Sequence, residues 1–244
     1  MGFLYSPLPL WASIGGWIVA MVVLAAAVVR KTPFPHLQHA GRSRAGRLRA
    51  SFSTPFAKLN TDGLQHLWLS CVVTLSVLWT FDIWSQYGPV FHLLGATLMV
   101  TLFGWALALI GTSIVVLLVA VMLSTPLDGI GLTLLAFSVV PVLVSAFVEN
   151  ILTRYFPNKR APFVLGHGVL TPVLAVTASS STVLLGHVGL LGVAWRWIDP
   201  SFVMVTSIQA CGEAMFTCAM TAIIAVYKPA WMTTFDKRLN RIDQ

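Results

Sequence analysis

Long apolar runs separated by short polar segments dominate the chain. A helix needs about 20 mostly apolar residues to cross the hydrocarbon core of a bilayer, so each such run predicts one membrane pass. The first runs from about Pro9 to Val29 and stops at Arg30-Lys31. The second runs from about Leu64 to Trp84. A third apolar stretch starts at Phe91 and continues almost unbroken to Leu123, too long for one pass. Gly104-Trp105 or Gly111 marks a tight reversal in it, giving a short third pass and a fourth that ends near Ser124. Passes five, six and seven follow at about Ile130–Tyr155, Pro162–Val188 and Phe202–Tyr227. Helical periodicity adds little, because helices surrounded by lipid are apolar all round. The expectation is a single all-α, polytopic transmembrane bundle of about seven helices, one of them short.

Charge turns this pattern into an orientation. Positive residues accumulate on the cytoplasmic side of membrane proteins. With the N-terminus outside, the inner segments are about 30–63, the turn near 104, about 154–161 and the tail from Lys228. They hold every Lys and Arg of the chain except Arg196, 14 of 15. A six-pass alternative would break that agreement, so the bias predicts seven passes and a cytoplasmic C-terminus. The basic loop Arg42-Ser43-Arg44-Ala45-Gly46-Arg47-Leu48-Arg49 either lies on anionic lipid or touches a cytoplasmic partner, or it only enforces topology.

Composition fits. Of 244 residues, 57% are hydrophobic and 9% charged, against about 25% charged in a soluble domain. The net charge of +7 is confined to loops and tail, which argues against a nucleic-acid partner. Cys71, Cys211 and Cys218 all fall inside apolar runs, an odd buried set rather than a disulfide framework. No positive residue precedes the first apolar run, so it does not read as a cleaved signal peptide.

Ionisable groups at membrane depth are costly and mark functional candidates. Glu213 lies near the middle of pass seven and must find a donor inside the bundle. Glu149, in pass five, is close enough to the inner loop to pair with Arg154 or Lys159. At the outer level, His92 begins pass three, His187 ends pass six, Asp82 ends pass two and Asp128 precedes pass five. Two imidazoles and two carboxylates at one level form a candidate transition-metal site. His66 and His167 fall near inner ends, and His36 and His39 in the inner loop. Cys211, Met215 and Cys218 share one stripe of pass seven, either a soft Cu(I) track or ordinary packing. The run Thr177-Ala178-Ser179-Ser180-Ser181-Thr182 suits close helix packing with interhelical hydrogen bonds. No Walker A loop, dinucleotide fingerprint, HExxH or CxxC occurs. An ATPase, redox centre or other enzyme is therefore not expected, and energy for transport would come from ion coupling or another subunit.

Two segments carry a family resemblance. His92-Leu93-Leu94-Gly95-Ala96-Thr97-Leu98, followed by Leu102-Phe103-Gly104-Trp105-Ala106-Leu107-Ala108-Leu109, resembles the CbiM/NikM family of substrate-capturing permease components. These belong to energy-coupling-factor transporters for cobalt and nickel. Gly212-Glu213-Ala214-Met215-Phe216-Thr217, running on to Val226-Tyr227-Lys228-Pro229-Ala230-Trp231, resembles that family's final helix. Leu64-Gln65-His66-Leu67 and Thr233-Thr234-Phe235-Asp236-Lys237-Arg238 look closest to a proteobacterial branch of it. The resemblance implies a six- or seven-helix bundle with an outward N-terminus, and His92 as a metal ligand. It also implies ATPase and coupling membrane subunits as partners. The family places a second ligand, a histidine, directly after the initiator methionine, and here that position is Gly2. Either Asp82, Asp128 or His187 rebuilds the site, or the cargo is another metal, or transport has been lost. The leading expectation is a bacterial inner-membrane permease component capturing cobalt, nickel or copper. Its rival is a non-transporting accessory subunit that stabilises, or supplies metal to, a larger membrane enzyme complex.

Overall fold

The computed structural model describes residues 8–29, 63–83, 93–155, 164–192 and 201–227. Within them the chain is all helical. Five helical runs are long and apolar enough to cross a membrane, which makes this a multi-pass membrane protein by length and composition. Seven helices are present among the described residues. They are α1 (Leu10–Val29), α2 (Leu64–Ile83), α3 (Ala96–Phe103) and α4 (Trp105–Met122). Helix α5 joins Ile130–Leu134, a π-helical turn at Leu135–Val139 and Val140–Tyr155. Helix α6 joins a π-helical turn at Gly166–Leu170 to Thr171–Leu191, and α7 is Ser201–Tyr227.

The short third helix is where the apolar pattern required a break. Gly104 ends α3 and starts α4 with φ 83° and ψ 164°, a conformation a side chain would resist. The chain folds back there. Met99, before the break, lies against Gly111, after it: a Cβ on Gly111 would meet the Met99 Cε at 2.6 Å. Tryptophans of α2 hold the chain at both ends of α3. Trp68 Nε1 donates to the Leu107 carbonyl at 3.1 Å, and Trp79 Nε1 to the Leu93 carbonyl at 2.8 Å. Helix α2 therefore runs antiparallel to α3 and alongside α4, with Thr80 Oγ1 reaching Met122 Sδ at the far end.

Small residues let backbones approach. Gly16 of α1 faces Gly131 of α5, and a Cβ on Gly131 would sit 2.6 Å from the Trp17 backbone nitrogen. The π turns also have consequences for packing. A π turn misaligns the local ladder of backbone bonds, and nearby hydroxyls engage its carbonyls. Ser179 of α6 donates to the Ala136 carbonyl at 2.6 Å, and Thr171 to the Gly166 carbonyl at 2.9 Å. Ser138, in the first π turn, sits between Thr112 at 2.7 Å and Ser113 at 2.9 Å. The core is apolar around these points, with Trp79, Phe103, Leu107, Leu109 and Leu134 fully buried.

Candidate functional site

Glu213 lies near the midpoint of α7 and is 1% exposed. Its carboxylate faces the start of α3. The Leu94 N–H donates to Oε2 at 2.7 Å and the Gly95 N–H to Oε1 at 2.7 Å. The N-cap residue of α3 is Gly95, which has no side chain to cap with, so the cap comes from another helix. Gly95 adopts φ 66° and ψ −2°, which turns two successive N–H groups toward one anion, as in an anion-binding nest. A Cβ on Gly95 would also lie 2.5 Å from Leu75 Cδ2. The positive end of the α3 dipole adds attraction for the carboxylate. Hydrogen bonds to a charged group contribute about 1.5–3 kcal/mol each. Irregular backbone inside a membrane bundle is tolerated where protein groups satisfy it, and Leu93-Leu94-Gly95 is held from both sides: Trp79 on its carbonyl, Glu213 on its amides.

A second buried polar cluster lies farther along α3. Thr97 and Thr101, one turn apart, face Ser145 and Glu149, one turn apart on α5. Thr97 and Ser145 hydroxyls are 2.9 Å apart. Thr101 Oγ1 donates to Glu149 Oε1 at 2.5 Å. His167, in the π turn of α6, brings Nδ1 to 3.6 Å from the same oxygen. Glu149 and His167 are both buried. These contacts hold Glu149 inside the bundle; Arg154 is exposed and Lys159 lies outside the described residues. Helices α3, α5 and α6 are thus joined through one carboxylate.

The outer ligand set is only partly described. His92 lies outside the described residues, as does the side chain of Asp82, whose backbone is in the last turn of α2. Asp128 is exposed in a single turn ahead of α5. His187 is half-buried, with Nδ1 2.8 Å from the Val183 carbonyl one turn back. Among the described residues no three His, Cys, Asp or Glu side chains are grouped closely enough to hold a metal ion. On α7, Cys211 and Met215 point outward and Cys218 is half-buried, so the sulfur stripe is not directed at the buried carboxylates. The chain matches no family model, no curated protein and no solved structure.

Sequence reasoning placed Glu213 inside the bundle but missed its partners, because backbone amides leave no mark in a sequence. It also missed the cluster around Glu149. The signal there was the matched spacing of Thr97/Thr101 and Ser145/Glu149, two one-turn ladders on separate helices.

Proposed function

We propose that this chain is the membrane permease component of a bacterial inner-membrane system that captures a transition-metal cation, cobalt, nickel or copper. The observation that carries the reading is the grip of Glu213 on the Leu94 and Gly95 amides. His92 is two residues ahead of Leu94 in the chain, so the buried carboxylate fixes the backbone next to the expected metal ligand. A half-length helix that aims its N-terminus at the bound group is a recurring element of transporter binding sites. Here that terminus is neutralised by the protein's own carboxylate, which suits a cationic cargo and disfavours an anionic one.

In this reading the N-terminus is outside and the basic loops and tail are cytoplasmic. His92 is the primary ligand, and Asp82, Asp128 and His187 supply further donors at the same face. Imidazole suits cobalt, nickel and copper, and carboxylates complete a site with water. Energy comes from separate ATPase and coupling subunits, since the chain carries no nucleotide-binding loop.

Tracer Co²⁺ and Ni²⁺ uptake tests the proposal in cells whose only copy of the chain is wild type or His92→Ala. Chain-dependent uptake that the substitution abolishes supports it. Uptake that is the same with and without the chain would remove it, and co-purification with a membrane enzyme complex instead of an ATPase would then favour the accessory-subunit reading.

A further inference from the structure

The buried face of α7 continues past Glu213. Thr217 and Thr221 follow it at one-turn intervals, about 6 Å apart along the axis, and both are fully buried. Neither hydroxyl has a hydrogen-bond partner among the described residues. They are exceptions. The other fully buried threonines of the described residues, Thr97, Thr101, Thr112, Thr133 and Thr171, all bond to a neighbouring hydroxyl, a carboxylate or a carbonyl. The usual outlet for a helical threonine is the carbonyl one turn back, and Thr101, Thr112 and Thr133 use it. Thr217 and Thr221 do not. Two unsatisfied hydroxyls in a protein interior oppose stability, and buried polar groups without partners call for a reason. Packing does not supply one, because valine has the same shape without the oxygen.

We infer that Glu213, Thr217 and Thr221 form the inner part of a cation route along α7, the two hydroxyls offering oxygen lone pairs to a passing, partly hydrated cation. The inference rests on the permease reading and extends it from capture to passage. Helix α6 covers this stretch of α7. Gly168, in its π turn, presses on α7 at Cys218, where a Cβ on the glycine would lie 2.7 Å from the Cys218 Cα. Such π turns are frequent at functional sites. The route therefore runs beside an irregular turn of α6. Oxygen donors at one-turn steps hand a hard or hydrated cation from one position to the next without trapping it, whereas the thiols of the same helix lie off this stripe.

The test uses Thr217→Val, Thr221→Val and Thr217→Ser in the full-length chain. Three readouts are compared: tracer Co²⁺ uptake by cells, Co²⁺ affinity of the purified protein and its thermal midpoint. The expected result is uptake lowered about tenfold or more by each valine, from the loss of a bond to a charged species. Affinity at the outer site stays unchanged, the midpoint stays equal or rises, and Thr217→Ser restores uptake. Uptake by both valine variants equal to wild type overturns the inference while leaving the permease reading intact. A lowered midpoint with uptake per folded molecule unchanged also overturns it, by assigning the hydroxyls to structure. Absence of chain-dependent Co²⁺ uptake in wild type removes the permease reading and this route with it.

Discussion

Glu213 and Gly95, 118 residues apart in the chain, meet through a 2.7 Å hydrogen bond from a backbone amide to a buried carboxylate. That bond and its neighbour from Leu94 join α7 to the turn ahead of α3. Glutamine at position 213 offers one acceptor oxygen where two amides need one each. Glu213→Gln should therefore lower stability by about 1.5–3 kcal/mol, the value of a hydrogen bond to a charged group. Glu213→Ala, which leaves both amides unsatisfied, should cost more. Thermal unfolding of purified protein in detergent ranks the two, and equal stability of all three proteins would contradict the cap.

Gly95→Ala meets two penalties. Its φ of 66° is unfavourable for alanine, and the new methyl would collide with Leu75. The left-handed conformation alone costs about 1–2 kcal/mol. Pairing it with Leu75→Ala should relieve the collision and leave the conformational part, so the double variant should be less damaged than the sum of the single ones. Strict additivity in a thermal-unfolding cycle would show that the methyl makes no contact.

Thr101 and Glu149 should be energetically coupled. A double-mutant cycle of Thr101→Val and Glu149→Gln should return an interaction of about 0.5–3 kcal/mol, as for residues sharing one buried network. His167→Phe should weaken that coupling, because the imidazole helps to place the same carboxylate oxygen. A coupling near zero would mean that the short contact contributes nothing.

Much of the fold could be read from the apolar pattern. Pro9–Val29 and Ile130–Tyr155 anticipated the helices to within a residue, because lipid thickness dictates length. The break at Gly104 followed from a run too long for one pass and a residue able to take positive φ. The π turns at Leu135–Val139 and Gly166–Leu170 were not anticipated, although each ends two residues before a proline, Pro141 and Pro172, which removes a ladder donor and crowds the carbonyl four residues back. The facing of each helix was equally hidden, because lipid-facing and core-facing positions are both apolar. Glu213 was legible as a buried group needing a donor. The ladder from Thr97/Thr101 to Ser145/Glu149 depended on the register between α3 and α5, which one sequence does not encode on its surface.

Helix α1 should be sensitive to bulk at one point. Gly131→Leu drives a side chain into the backbone of α1 near Trp17, and overpacking of this kind costs about 1–3 kcal/mol. The Trp17 Nε1 bond to the Leu127 carbonyl should loosen with it. The thermal midpoint of the purified protein should fall in Gly131→Leu and remain unchanged in a control such as Gly15→Ala, where a Cβ meets nothing.

The proposed metal capture by His92, two residues ahead of the backbone amides held by Glu213, is measured most directly by calorimetric titration of the purified chain with Ni²⁺ and Co²⁺. Wild type, His92→Ala and Glu213→Gln are compared at equal folded concentration. Wild type should bind saturably, His92→Ala should lose that site, and Glu213→Gln should keep the stoichiometry at weaker affinity. Identical isotherms for wild type and His92→Ala would contradict capture by His92.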